Sequence, residues 1–337
     1  MTTDETIMVT GGSGIVGRAL LRRLTSDNRR VRALARSNDA RDRVAALGAE
    51  PVAGDVMDRP ALVDAMGGAT AVFHSAGVNA FCLRNSSEMF RVNVDGSVNV
   101  IRAAADAGVS RLVYTSSAAT VGEEQGSVGR EDTAHRGWFM SEYERSKYEA
   151  EQAVLEEAPR LGVDVVCVNP SSVQGPGRAS GTGKVLVAYL RGRLRVFVDV
   201  RVSLIDIDDC AEGHVLAEKL GKPGRRYLLN GASLWTNDLL KIVNRMTGLR
   251  HSPRILPKRF ATAGAITVES LSRMRGRTPP ICREMVRTML HGHHYDGSRA
   301  TRELGLSYAP VERTIYRTVE WLVEEGLVPK PPKLEAA

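Results

Sequence analysis

With 337 residues the chain can bury a large core, which suits two domains or one large α/β unit. Its 43% hydrophobic and 25% charged residues are those of an ordinary globular protein, and no apolar run approaches the roughly 18 residues of a membrane span. The net charge of +7 is scattered, and its densest stretch, RGRLR at 191–195, has no interleaved aromatics, so composition points away from nucleic acid.

The opening, MTTDETIMVTGG, has no basic and then apolar leader and carries acids, which predicts neither a secretory nor a transit peptide. From there β-rich runs alternate with helical patterns. Strands are predicted at 7–11, 30–36, 50–55, 71–77, 111–117 and 164–173, and helices at 14–27, 40–47, 60–67, 86–107 and 141–161. That alternation predicts right-handed βαβ units and an α/β fold, a Rossmann-type doubly wound parallel sheet. The pattern breaks at the Gly-rich GPGRASGTGK, and helical periodicity dominates from Thr236 onward. A smaller, mainly helical substrate lobe over the carboxyl ends of the strands is therefore expected. The predicted division is 1–172 for the nucleotide domain, with 203–230 returning to it, and 173–202 with 231–328 for the lobe. The tail 329–337, PKPPKLEAA, has too many prolines and too few apolar residues to pack, which predicts disorder.

Cys82, Cys167, Cys210 and Cys282 are widely spaced and form no CxxC, so a reduced, cytoplasmic protein is expected. HGHH at 291–294 is the one dense histidine stretch. Without paired cysteines or a second cluster it reads as a loop or helix end rather than a metal site.

Gly11, Gly14 and Gly17 directly follow the first strand and open the first helix. Glycines so placed let the chain turn tightly, bring backbone close to a pyrophosphate, and aim free N–H groups of the helix end at it. Ser13, Ile15 and Val16 fill the same loop. A bare structural turn would need no such context. The acid that would hold the ribose of NAD about 20 residues on is absent, and Arg36 ends the second strand instead. A solvated surface arginine is the plain alternative, but at this position a guanidinium suits a 2′-phosphate, which predicts NADP(H). Arg41 and Arg43 add charge nearby. Asp55 and Val56, after the third strand, are placed to meet the adenine. Ala76 and Gly77, after the fourth, mark a close backbone approach.

The fifth strand ends in Thr115, Ser116 and Ser117, at the carboxyl edge where open α/β sheets bind ligands. On the next helix Tyr143 stands four residues before Lys147, so the two share a face. Alone, that spacing is a solvated face with an aliphatic seam through Ala150, Ala153 and Val154. Beside the glycine loop it acquires a chemical meaning. A free phenol titrates near pH about 10, and a neighbouring ammonium is expected to lower that value. Ser117 would steady a substrate oxygen, Tyr143 would give or take its proton, and Lys147 would also hold the nicotinamide ribose.

In this order the glycine loop, Ser117 and Tyr143-x-x-x-Lys147 resemble the extended short-chain dehydrogenase/reductases. YERSKYEAEQAV, TSSAATVG and ALARS look most like the bacterial dihydroflavonol-4-reductase-like and sugar-epimerase-like branch. The resemblance implies an active-site asparagine at Asn93, and a backbone turn from Pro170 to Val173 that meets the nicotinamide carboxamide. It also implies an NADPH-dependent carbonyl reductase or alcohol dehydrogenase acting on a small molecule, as a monomer or homodimer. This chain departs from the sugar-nucleotide enzymes at Ser172, where they carry a diphosphate-contacting asparagine, and at Asp206, where a histidine is usual. Gly122 replaces the substrate-contacting asparagine of plant flavonoid reductases. The apolar runs 185–190 and 260–268 either cover the pocket, which favours an apolar or aromatic ketone, or are simply core helices. A nucleotide-sugar epimerase with retained NAD and a non-catalytic NADP(H) sensor are the alternatives. Arg36 and Ser172 speak against the first, and the intact Ser, Tyr and Lys against the second.

Overall fold

A computed structural model describes residues 5–335. Its first half alternates as the sequence predicts: β1 (Thr6–Thr10), α1 (Ile15–Ser26), β2 (Arg30–Ala35), α2 (Asn38–Ala45), β3 (Glu50–Ala53), α3 (Arg59–Met66) and β4 (Ala69–His74). The long fourth helix is α4 (Ser87–Phe90), a π-helical segment (Arg91–Asp95) and α5 (Gly96–Asp106). Then come β5 (Arg111–Thr115), the 3₁₀ turn Ala118–Val121, α6 (Glu142–Leu161) and β6 (Asp164–Pro170), which stops short of the predicted 173 because residues 172–174 pair in a second sheet.

β1 is buried at all five positions, because helices cover both faces of a parallel sheet and no polar face is needed. The main sheet runs β3-β2-β1-β4-β5-β6-β10 with every pair parallel. Its order reverses between β1 and β4, which opens a crevice at the carboxyl ends of the strands. On one face Leu20, Leu21 and Leu24 of α1 pack with the sheet, and on the other Leu62, Met66, Val100, Ile101 and Val154 do.

The second half contains β7 (Ser172–Gln174), α7 (Gly183–Leu190), β8 (Val196–Phe197), β9 (Arg201–Asp206), α8 (Ile207–Leu220), β10 (Arg226–Leu229) and β11 (Ala232–Trp235). After these come α9 (Thr236–Thr247), β12 (Arg254–Ile255), α10 (Lys258–Met274), α11 (Arg283–His291), α12 (Ser298–Leu304) and α13 (Val311–Glu324). β10 joins the main sheet beside β6, while β9 lies between β7 and β11 in a small mixed sheet. The lobe has its own core of Tyr189, Leu190, Val243, Met246, Val319 and Leu322. Among the described residues no helix is long and apolar enough to cross a membrane.

Three expectations are corrected here. The tail is ordered through residue 335: Lys333 and Glu335 N–H groups donate to the Thr247 and Met246 carbonyls, Pro331 is buried, and Leu334 joins the lobe core. It succeeds despite its prolines because it satisfies carbonyls at the end of α9 that the helix leaves free. Residues 336–337 lie outside the described part. Cys82 and Cys282 are not free thiols but form a disulfide, with Cα atoms 5.6 Å apart across 200 residues of sequence. Cys167 and Cys210 remain free and buried. Finally, the apolar runs do not form a greasy cover. α7 buries Tyr189 and Leu190 in the lobe core, and α10 turns Lys258, Thr262, Glu269 and Arg273 toward the lobe's cleft while Phe260, Ile266 and Leu271 stay exposed.

Candidate active site

The β1–α1 loop is built for close approach. Gly11 has φ +74°, and a Cβ there would stand 2.4 Å from Ala76 N, so the loop touches the turn after β4. A Cβ at Gly17 would stand 2.1 Å from the Gly11 carbonyl oxygen, which seats α1 against the loop. Gly14 caps α1 with extended backbone and no side-chain cap, and the first turn has no acid. The N–H groups around Ile15 and Val16 are thus left for an outside acceptor, and exposed Gly14 leaves their approach clear, with Ser13 half-buried alongside. These features fit a dinucleotide pyrophosphate.

Arg36 stands at the end of β2 on a small open pocket of about 330 Å³ shared with Ser37, Asn38, Arg41, Gly54 and Asp55. Its guanidinium is largely exposed and reaches Asp55 only at 3.5 Å. The other Asp55 oxygen accepts from Met57 N–H at 2.9 Å. Arg43 is spent on Asp39 at 3.0 Å. Val56 is buried, its carbonyl taken by Asn99 at 3.2 Å, so this residue offers an apolar wall.

Asn93 sits in the π-helical segment, a register change that turns it inward. Its Oδ1 accepts from Val78 N–H at 2.7 Å, and its Nδ2 donates to the Val78 carbonyl and to Ser146 Oγ at 3.0 and 2.9 Å. The asparagine therefore clamps the strand end after Gly77 onto α6. Both ends of its amide are hydrogen-bonded to protein groups.

Ser141 caps α6 by accepting from Glu144 N–H at 3.2 Å, and this fixes where Tyr143 and Lys147 point. Lys147 is buried, and its Nζ donates to the Thr115 carbonyl at 2.8 Å and to Tyr114 Oη at 3.2 Å. Burial pulls its pKa down to about 8, and Glu151, one turn further along, partly restores it. Burial pushes the Tyr143 phenol up. Ser117 and then Arg178 act the other way, and the ammonium of Lys147 is not what governs it. The expectation that Lys147 lowers the phenol is not met: Lys147 Nζ donates to the Thr115 carbonyl and the Tyr114 hydroxyl, and burial gives the Tyr143 shift its direction. Ser117 caps the 3₁₀ turn, accepting from Ala119 N–H at 3.2 Å. Neighbouring Ser116 Oγ is buried without a hydrogen-bond partner. Thr115 Oγ1 is 2.9 Å from His214 Nε2.

Pro170 ends β6 and Val173 lies in β7, both buried at the same edge. Ser172 faces Thr182 and Gln174, at 3.2 and 3.0 Å. Asp206 caps α8 and pairs with Arg317 at 3.2 Å, a structural use of the position.

Sequence reasoning passed over three neighbours. Arg178 is near enough for its charge to act on the Tyr143 phenol, and its Nε is buried and unpartnered. Its only signal was its place in the Gly-rich loop. Phe81 packs on Tyr143 with ring centroids 5.8 Å apart. Glu151 continues the 143, 147 spacing by four and anchors Arg226 at 2.9 Å and Asn169 at 2.5 Å behind the lysine. A cavity of about 820 Å³ is not lined by Tyr143. It lies in the lobe between Trp138, Lys258, Arg273, Arg283 and Arg287, next to Leu83 and the disulfide.

The pattern of the NAD dependent epimerase/dehydratase family matches residues 7–229. The chain belongs to this family. Within the epimerase/dehydratase family it is 32% identical over 333 residues to a putative dihydroflavonol 4-reductase of Synechocystis sp., covering 96% of each chain. A 2-alkyl-3-oxoalkanoate reductase of Stenotrophomonas maltophilia is 31% identical over 338 residues, covering 95% of this chain and 97% of that one. The crystal structure of gox2253 superposes with a TM-score of 0.84 at 30% identity, covering 97% of this chain and 100% of the other. The family binds NAD(P), and its extended short-chain dehydrogenase/reductase members include oxidoreductases like these relatives.

Proposed function

We propose that the protein is an NADP(H)-dependent carbonyl reductase or alcohol dehydrogenase, acting on an apolar or aromatic ketone or its secondary alcohol. The observation that carries this reading is the convergence of Ser117, the Tyr143 phenol and buried Lys147 at the carboxyl end of β5, beside the uncapped glycine turn. When bound, the nicotinamide supplies or accepts the hydride. Tyr143, kept protonated by burial, gives its proton to the carbonyl oxygen in reduction and takes it back in oxidation. Ser117 steadies that oxygen. Lys147 holds the ribose while remaining tied to Thr115, so α6 and β5 cannot drift apart. Arg36 and Arg41 receive the 2′-phosphate. Phe81 and Trp138 offer aromatic surface near the phenol and the lobe cleft.

A nucleotide-sugar epimerase is the second reading. It is favoured by the arginines of the cleft and by unpaired Arg178, which would suit a diphosphate. One experiment separates the two. The protein is incubated with NADPH and a panel of aromatic, polycyclic and 3-oxo ketones, and separately with UDP-sugars. Ketone-dependent loss of nicotinamide absorbance supports the reductase. Formation of a 4-epimer without such loss would hand the site to the epimerase.

A further inference from the structure

Glu123, His291 and His293 meet from distant parts of the chain. Glu123 follows the 3₁₀ turn after Ser117 and is 1% exposed. His291 is the last residue of α11 and is 9% exposed, and His293 stands two residues on. Their donor atoms all lie within 4.8 Å of one another. His293 Nδ1 is 2.7 Å from Glu123 Oε1, an ordinary hydrogen bond. His291 Nε2 stands 3.5 Å from the same oxygen, too far and too poorly aimed to bond, and it is buried without a partner. Glu123 Oε2 is likewise buried and unpartnered. Buried polar atoms are nearly always paired, so a purely structural cluster would have closed on both. Arg136, the adjoining cation, donates from its two terminal nitrogens to the Glu123 carbonyl and the Glu144 carboxylate and makes no hydrogen bond to the Glu123 carboxylate, its own Nε being buried and unpartnered.

We propose that Glu123, His291 and His293 form a binding site for a divalent transition-metal cation of the Zn²⁺ class. Two imidazole nitrogens and one carboxylate oxygen are a donor set that suits Zn²⁺ and excludes the all-oxygen shells of Ca²⁺ and Mg²⁺. Bonds of about 2.0–2.2 Å place tetrahedral ligands roughly 3.3 Å apart, which the His291–Glu123 spacing already meets. The His293–Glu123 pair opens by about half an ångström, and His293 gives up the Tyr295 hydroxyl now 2.9 Å from its Nδ1. The cation would staple the segment following Ser117 to the chain leaving α11, tying the lobe to the sheet.

The test uses the full-length protein, stripped of metal with chelator and titrated with Co²⁺. One equivalent should bind with the visible d–d bands of a low-coordinate site, be displaced by Zn²⁺, and raise the melting temperature. Losing an outer partner of a metal ligand already costs roughly 10–100-fold in affinity, so H291A and H293A should each weaken binding at least as much. H294A is the control, because His294 Nδ1 faces Arg201 at 2.9 Å instead, and its binding should match the wild type. Where a histidine variant fails to fold by circular dichroism, the near-isosteric E123Q takes its place. Absence of Co²⁺ and Zn²⁺ uptake by the wild type would overturn the site with no variant needed. So would affinities in the folded variants equal to wild type.

Discussion

At the scale of single residues, the site is governed by which charges are buried. Tyr143→Phe removes one oxygen from a half-buried ring and nothing that holds the cofactor. Turnover should fall by at least the roughly 10²–10⁴-fold of a general acid–base group while NADPH affinity, read by fluorescence, stays within a few-fold. Lys147 behaves differently. Burial lowers its pKa to about 8, so it is charged below that pH and loses its proton as the pH rises through it. NADPH affinity and kcat/KM should therefore decline through about pH 8 in the free enzyme. In Lys147→Arg the limb should vanish, since a guanidinium keeps its proton. A limb that stays in place in the arginine variant would assign it to another group. Arg36→Asp should weaken NADPH by a factor of about 10 to 150 and NADH hardly at all, the worth of a charge-assisted pair of roughly 1.5–3 kcal/mol. Equal wild-type affinities for the two cofactors would refute the role given to Arg36.

At the scale of elements, two devices hold the segment between β4 and α4. The π-helical turn brings Asn93 to both polar groups of Val78, and the Cys82–Cys282 disulfide ties the same segment to α11. Asn93→Ala leaves two backbone groups of Val78 without partners, which should cost about 1–3 kcal/mol in urea unfolding. Turnover should fall with it, because Phe81 and Tyr143 lose their register. The disulfide closes a loop of 200 residues, so Cys282→Ser should cost about 2–5 kcal/mol. Thiol titration of the unfolded, unreduced wild type should find two thiols, Cys167 and Cys210, rather than four. Four would return the chain to the reduced state that its cysteine spacing predicts.

At the scale of the whole molecule, two buried histidines, His74 in β4 and His214 in α8, make the fold sensitive to acid. Burial lowers His74 to about 3 and His214 to about 4 from an ordinary 6.5. The folded protein keeps both neutral where the unfolded chain takes up protons. Their stabilisation is thus complete above about pH 6.5 and is lost as the pH falls toward 3. At pH 5 each should cost roughly 2 kcal/mol relative to pH 7.5. His74→Asn should remove about half of that difference in urea melts, and an unchanged difference would place the acid sensitivity elsewhere.

Much of this molecule is legible in its order of residues. The alternation of strands and helices to residue 173, the glycine turn and the Tyr143–Lys147 spacing are local signals, set by side-chain periodicity and by what a turn or helix face requires of its residues. These determined the fold class and where the candidate chemistry lies. What the sequence could not carry depends on distances between segments far apart in the chain. The meeting of Cys82 with Cys282 and of Glu123 with His291 and His293 comes from packing the lobe onto the sheet. The direction of the Tyr143 shift was also a tertiary matter, because burial, rather than the lysine one turn away, sets its local dielectric. The tail packed for the same reason. Its partners are carbonyls at the end of α9, and no composition of the tail alone could announce them.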